Sequence, residues 1–311
     1  MEVIVVREKF DFVGHLKIFL CISLAIMLVG VVMNVIFGTS MDVSFKGGTL
    51  IRYSYETAPD KAAFEKTAKE ALGDDATVAF DNVNSTDVVT ITLPGEIKME
   101  QQDKLTEAIE KNYADNKLVS FSSNTLTATM GTKFFLRCLL AVAFAAVLLL
   151  CYVGVRFRKI GGVSAGVAAL LALLHDLLIV YFTFVIFRIE LNDNFVAVML
   201  TILGYSLNDT IVIFDRIRTN RRKMTGSLEE VVNASLHQTK RRTIVTSITT
   251  GVAILAVLGV AVFMHVDSII SFALPMLFGT ISGCYSSLVL SAPIWVRWMK
   301  RKEAKKSKAK A

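Results

Sequence analysis

The sequence predicts an α-helical integral membrane protein with six transmembrane helices and one small α+β domain exported between the first two. Three observations carry this expectation. Hydrophobic residues make up 53% of the 311-residue chain, too many for an ordinary soluble domain. They gather into blocks of about twenty or more residues, the length a helix needs to cross about 30 Å of hydrocarbon at about 1.5 Å per residue. Lys and Arg also fall on alternate sides of successive blocks, as cytoplasmic loops require.

The blocks cover residues 16–37, 134–155, 161–187, 195–217, 244–263 and 269–299. The first is too long for a cleaved signal peptide, and Phe37-Gly38-Thr39-Ser40 is a poor cleavage site, so it should remain as an anchor. The last is long enough to tilt, to kink at Pro275 or to leave the bilayer near Pro293. Arg7, Lys9 and Lys17 precede or open the first block, and Arg156, Arg158 and Lys159 fill the loop after the second. Arg216, Arg218, Arg221, Arg222, Lys223, Lys240, Arg241 and Arg242 crowd the loop after the fourth, and eight more cations lie from Arg297 to Lys310. The opposite loops hold little beyond Arg188 and His265-Val266-Asp267. Both termini are therefore expected in the cytoplasm. The chain divides into 1–38 (N-terminus and first helix), 39–133 (exported domain), 134–299 (helices two to six) and 300–311 (basic tail).

The net charge of +7 joins two unlike regions. Residues 39–133 hold 15 Asp and Glu against 10 Lys and Arg, and the remainder is basic. Anchoring against anionic headgroups of the lipid bilayer accounts for that excess, and no nucleic acid partner is expected. Cys21, Cys138, Cys151 and Cys284 all fall in hydrophobic blocks, so the exported domain should fold without disulfides. No zinc spacing occurs, and neither a metal nor a cofactor is expected.

Within 39–133 the pattern changes. Residues 47–55 alternate as a strand, and 62–72 repeat apolar residues at helical spacing (Ala62, Phe64, Ala68, Leu72). Residues 77–80 and 88–93 read as strands joined by the turn-rich 81–86, 99–113 as a second helix and 118–121 as a last strand. The order βαββαβ is that of a ferredoxin-like domain. Its carboxylates are scattered and it lacks histidine, so it reads as a docking module rather than an enzyme.

An ionisable residue at mid-bilayer costs about 2.5–3.5 kcal/mol and marks a functional candidate. His175-Asp176 lies about midway along the third block, and Tyr205-Ser206-Leu207-Asn208-Asp209 breaks the fourth. As consecutive antiparallel helices, the two would bring these groups to overlapping depth. One reading makes His175, Asp176, Asn208 and Asp209 a proton relay, since a buried carboxyl group titrates closer to neutrality than one in water. The other makes them interhelical hydrogen-bonding groups, which average only about 0.6 kcal/mol per pair.

Asp215-Arg216 follows at the cytoplasmic end of that block, with Arg216 on the Asp209 and Tyr205 stripe. Thr243, Thr246, Ser247 and Thr250 form a hydroxyl stripe that can line a water path or bond backbone carbonyls. Ser227-Leu228-Glu229-Glu230 has capping-box form and opens an amphipathic, interfacial helix. Gly279 and Gly283 make a GxxxG element for close helix contact.

Phe10-Asp11-Phe12-Val13-Gly14, Ser44-Phe45-Lys46-Gly47-Gly48-Thr49, the His175-Asp176 pair and the run from Gly204 through Asp209 to Arg218, extended over 233–250, together resemble the SecF family of bacterial protein-export proteins. Ser44 departs from that family's motif, which usually has Asp there, and Asp42 stands two residues early beside Gly47 and Gly48. The resemblance implies one half of a twelve-helix RND-type transporter, in the bacterial cytoplasmic (inner) membrane. It implies a SecD-like partner, the SecYEG channel, YajC and a translocating unfolded polypeptide as partners, and use of the proton gradient in late export. The competing expectation is an RND exporter of small molecules or lipids. Such exporters carry two six-helix units and larger exported domains. An intramembrane enzyme lacks both HExxH and GxSxG.

Overall fold

The computed structural model describes residues 10–83, 86–95, 97–126 and 128–308. Arg7 and Lys9, the turn residues at 84–85 and Lys310 lie outside them. The elements run α1 (Leu16–Phe37), a single turn α2 (Val43–Lys46), β1 (Gly48–Ser54), α3 (Lys61–Leu72), β2 (Thr77–Val83), β3 (Thr86–Leu93), α4 (Met99–Asn112) and β4 (Val119–Leu126). They continue with α5 (Ala128–Arg156), α6 (Gly162–Ile186), α7 (Asp193–Lys223), α8 (Leu228–Phe263), α9 (Asp267–Ser286), a π-helical turn (Ser287–Ser291) and α10 (Ala292–Lys308). Among the described residues, six helical stretches are long and apolar enough to cross a membrane.

Three details differ from the sequence expectation. The expected interfacial helix and the fifth span are one helix, α8, whose 36 residues begin at the Ser227–Glu230 capping box. Nothing breaks it because residues 228–250 hold neither Pro nor a glycine before Gly251. The last span does not break at Pro275, which lies within α9. Its irregularity is the π turn, just ahead of Pro293, whose missing N–H leaves a carbonyl one turn earlier without its helical donor. The segment 43–46, read from sequence only as part of a motif, forms the turn α2. After it Gly47 and Gly48 adopt φ of 82° and 151°, the region that favours glycine.

The small domain packs α3 and α4 on one face of a four-stranded sheet of order β2-β3-β1-β4, with antiparallel neighbours. Ile51, Tyr53, Phe64, Ala68, Phe80, Val89, Ile91, Leu105 and Ile109 fill that interface. Alternate residues Leu50, Arg52, Thr90 and Thr92 point to the other face, towards the α6–α7 loop and the start of α9. Among the helices, α6 is central, packing on α1, α5, α7 and α9, while α7 packs on α5, α8 and α9. The most apolar windows of α6 and α7 are 56% and 50% buried, against 6% for α8. A helix that bare must face lipid or another chain.

The GxxxG element sits where α9 meets α7. A Cβ on Gly279 would stand 2.7 Å from the Ile202 side chain, and one on Gly283 would stand 3.0 Å from Ser206 Cβ. Both glycines let α9 approach closely enough for its serines to reach the neighbouring helices.

Candidate functional site

Asp176, on α6, is fully buried. Ser206 of α7 donates to its Oδ2 at 2.6 Å, Ser286 of α9 to the same oxygen at 2.7 Å, and Ser282 of α9 to Oδ1 at 2.6 Å. His175 Nδ1 lies 3.2 Å from Oδ1 and 3.4 Å from Ser282 Oγ. Both carboxylate oxygens are thus held by hydroxyl donors from two other helices. The π turn follows this cage directly, and Ser287 at its start donates to Ser206 O and pairs with Thr210 at 2.9 Å. His175 Nε2 is buried without a protein partner.

Asp209 differs. It is 5% exposed, near the middle of α7, and its Oδ2 is buried with no hydrogen-bond partner. Tyr205 of α7 donates to Ser247 Oγ of α8 at 3.4 Å. Asp209 and Tyr205 of α7, with Ser247 of α8, therefore mark a seam where α7, α8 and α9 meet. A cleft of about 340 Å³ lies between α7 and α8 at the basic end, lined by Val212, Asp215, Arg216, Thr219, Gln238, Thr239 and Arg242.

The predicted cluster is therefore split. Asn208 is exposed on the outer side of α7 and does not join Asp209 on its buried face, because consecutive helical residues point about 100° apart. His175 and Asp176 are together, on the α6 side. Of the hydroxyl stripe, Thr246 donates back to Arg242 O and Thr243 O, both at 2.9 Å, whereas Ser247 alone bonds across the seam. Thr250 is half-buried one turn further along α8. Asp215 pairs with Arg156 at 3.1 Å and Arg218 at 2.6 Å, and Arg216 bonds Gln238 of α8. Asn220 bonds Ser235 and Gln238, so the long ends of α7 and α8 are tied together beyond the spans.

Sequence reasoning missed Ser206, Ser282 and Ser286 as site residues. Ser282 and Ser286 are one helical turn apart, which was a readable signal. The Asp11 turn was also read only as a motif. Gly14 N donates to Asp11 Oδ1 at 2.9 Å and Asn233 Nδ2 donates to it at 2.7 Å, clipping the N-terminus onto α8. The Gly14 amide is the main cause holding this carboxyl below the usual carboxylate range.

Asp42, at the far end of the bundle, begins the α2 turn, with its N–H bonded to Leu191 O at 3.0 Å. It lines a crevice between the sheet and the α6–α7 loop with Arg52, Thr90, Arg188, Glu190 and Asp267. Lys61 of α3 pairs with Asp267 at the start of α9 and closes one side. Gly47 lies against α5, where a Cβ on Gly131 would stand 2.6 Å from Gly47 N. Burial, and then the Asp42 carboxylate, push the Glu190 carboxyl above its ordinary range. A raised folded pKa favours the protonated folded state, so this contribution is present below the unfolded pKa and is lost as pH rises through the folded one. Glu190→Gln should thus raise Tm at neutral pH and leave it unchanged near pH 4, an effect below about 1 kcal/mol at this half-buried site. Thermal unfolding at the two pH values checks it, and an unchanged Tm at neutral pH contradicts it.

These features define a six-span membrane protein whose buried acidic centres lie among its helices, beneath a small sheet domain. Residues 105–301 match the family described as protein export membrane protein SecD/SecF, C-terminal. The chain belongs to that SecD/SecF family, in its SecF branch. It is 32% identical to the protein translocase subunit SecF of Alicyclobacillus acidocaldarius over 95% of this chain and 94% of the relative. It is also 32% identical to the SecDF subunit of Bacillus subtilis, covering 97% of this chain and 40% of that one. The crystal structure of SecDF from Thermus thermophilus, titled a translocon-associated membrane protein, superposes with a TM-score of 0.76 at 27% identity, over 96% of this chain and 40% of that one. SecDF in its super-membrane-facing form gives 0.65 at 27% identity, over all of this chain and 41% of that one. The chain therefore spans about 40% of the SecDF proteins it resembles.

Proposed function

We propose that this chain is the SecF half of a SecD–SecF pair that assists protein export through a SecYEG channel, and that Asp209 couples proton flow to that work. The observation that carries the coupling is the contrast between two buried carboxylates. Three hydroxyls satisfy Asp176, whereas Asp209 keeps a buried oxygen that no protein group satisfies. A buried carboxylate oxygen that no protein group satisfies can take and release a proton. Asp176 and His175 then fix the helices around the seam, which Tyr205 and Ser247 line.

A SecD-like partner is supported by the bare α8 and by relatives in which SecD and SecF are one chain. The names of the relatives, protein translocase subunits, favour this reading over a small-molecule exporter. YajC and the unfolded substrate enter through the family alone. The strand order and the pattern βαββαβ support a ferredoxin-like reading of the small domain, with 1–38, 39–133, 134–299 and 300–311 as the divisions of the chain. The basic residues at the end opposite that domain support termini in the cytoplasm of a bacterial inner membrane, with the domain outside.

Purification from native membranes should bring a SecD-like chain with this one. A lone chain that supports export with no such partner would overturn the pairing. A cysteine at exposed Met99, in a background without the native four, should react with reagent from outside only, and one at Ser307 from inside only. Reaction of the Met99 site from the cytoplasmic side would reverse the orientation.

A further inference from the structure

At the end of the bundle opposite the sheet domain, α1, α6 and α10 enclose a groove of about 940 Å³. We propose that it binds one anionic phospholipid, with the phosphate held by Arg297, Arg301 and Lys305 and the acyl chains laid along Leu20 and Val163.

The lining is two-sided. Leu16, Leu20, Val163, Ile294 and Trp298 make an apolar wall, and Arg297, Arg301, Lys302 and Lys305 make a basic rim. On α10 these residues follow one helical face, since Ile294, Arg297, Trp298, Arg301, Lys302 and Lys305 are spaced three or four apart. The rim cations have no carboxylate partner among the described residues. Lys300 of α10 pairs with Glu229 of α8 and does not line the groove. Glu303, the one acidic residue of α10, does not line it either. Positive charge is thus concentrated without local compensation.

The level in the bilayer suits a headgroup. Leu16 is the first residue of α1, and Val163 and Ser164 stand in the first turn of α6, so both spans enter the hydrocarbon here. The α6 N-terminus adds its own partial positive charge. Trp298 is 41% exposed and Val163 79% exposed. A tryptophan beside cations at the end of a span is the interfacial pattern, with the ring at headgroup level. The apolar wall continues into the lipid-facing surface of α1, where Ile18 and Ile22 are exposed. The volume is at the top of the about 300–1,000 Å³ range that holds drug-sized ligands. It therefore fits a headgroup with the upper parts of two chains rather than a lone inorganic phosphate. Neither Asp209 nor Asp176 lines the groove, so lipid binding is independent of proton coupling.

The chain has two tryptophans, and Trp295 is fully buried, so Trp298 reports on the groove. The test reconstitutes the full chain, with and without its co-purified partner, in phosphatidylcholine vesicles carrying increasing brominated phosphatidylglycerol or brominated phosphatidylcholine. Brominated phosphatidylglycerol should quench the Trp298 emission at a mole fraction at least about threefold lower. That preference should fall to the phosphatidylcholine value in Arg297→Gln/Arg301→Gln, and the quenching should vanish in Trp298→Phe. Equal quenching by the two lipids in the wild-type protein overturns the proposal, whatever the variants do. So does a preference that the double variant retains, a preference abolished by millimolar inorganic phosphate alone, or a partner chain that shields Trp298 from both lipids.

Discussion

Replacing Asp209 by Asn is expected to abolish the gradient-dependent part of protein export while leaving assembly with the partner intact. The substitution is nearly isosteric and keeps hydrogen-bonding capacity, but it removes the titrating group. No protein hydrogen bond to its Oδ2 is lost, because that oxygen has no protein partner. A proton crossing 100 mV releases about 2.3 kcal/mol, so a few protons suffice for a modest rearrangement of a helix bundle or a small domain. The ATP-driven part of export should persist. Export measured in vesicles with and without an imposed gradient separates the two. A gradient response of wild-type size in the variant would leave Asp209 as a packing residue.

Asp176 should behave in the opposite way. Asp176→Ala removes the acceptor shared by the hydroxyls of Ser206, Ser282 and Ser286 and with it a buried group that joins α6, α7 and α9. Removing one partner of a buried charged network costs about 3–5 kcal/mol, and hydrogen bonds to charged groups contribute about 1.5–3 kcal/mol each. The variant should unfold at a clearly lower temperature in detergent and assemble poorly. Asp176→Asn should lose less, since its amide oxygen still accepts and the serine hydroxyls can rotate to accept from its nitrogen. An unchanged Tm in Asp176→Ala would show that the cage holds nothing together.

Much of this architecture was legible in the chain. Span lengths and strand alternation are local properties, so α1, α3, β1 and α6 appear almost where periodicity put them. The capping box at Ser227 and Glu230 and the Gly279–Gly283 contact were equally readable, because each is a short pattern with one geometric use. The fusion of the interfacial helix with the fifth span was not, since a change of hydropathy looks like a boundary even where the backbone continues. Nor was the separation of Asp176 from Asp209. Sequence places each at mid-span, but which neighbour faces it depends on helix rotation, and that is set by the close approach of α9 at its glycines. A single rotation decides whether a carboxylate meets three serines or none.

Infrared difference spectroscopy on the reconstituted protein, comparing wild type with Asp209→Asn as the pH is lowered, tests the central claim most directly. Wild-type protein should show the carbonyl band of a protonated buried carboxylic acid growing as the pH falls, and that band should be missing from Asp209→Asn. A band that persists unchanged in Asp209→Asn would mean that another carboxyl group takes the proton and that Asp209 is not the coupling residue.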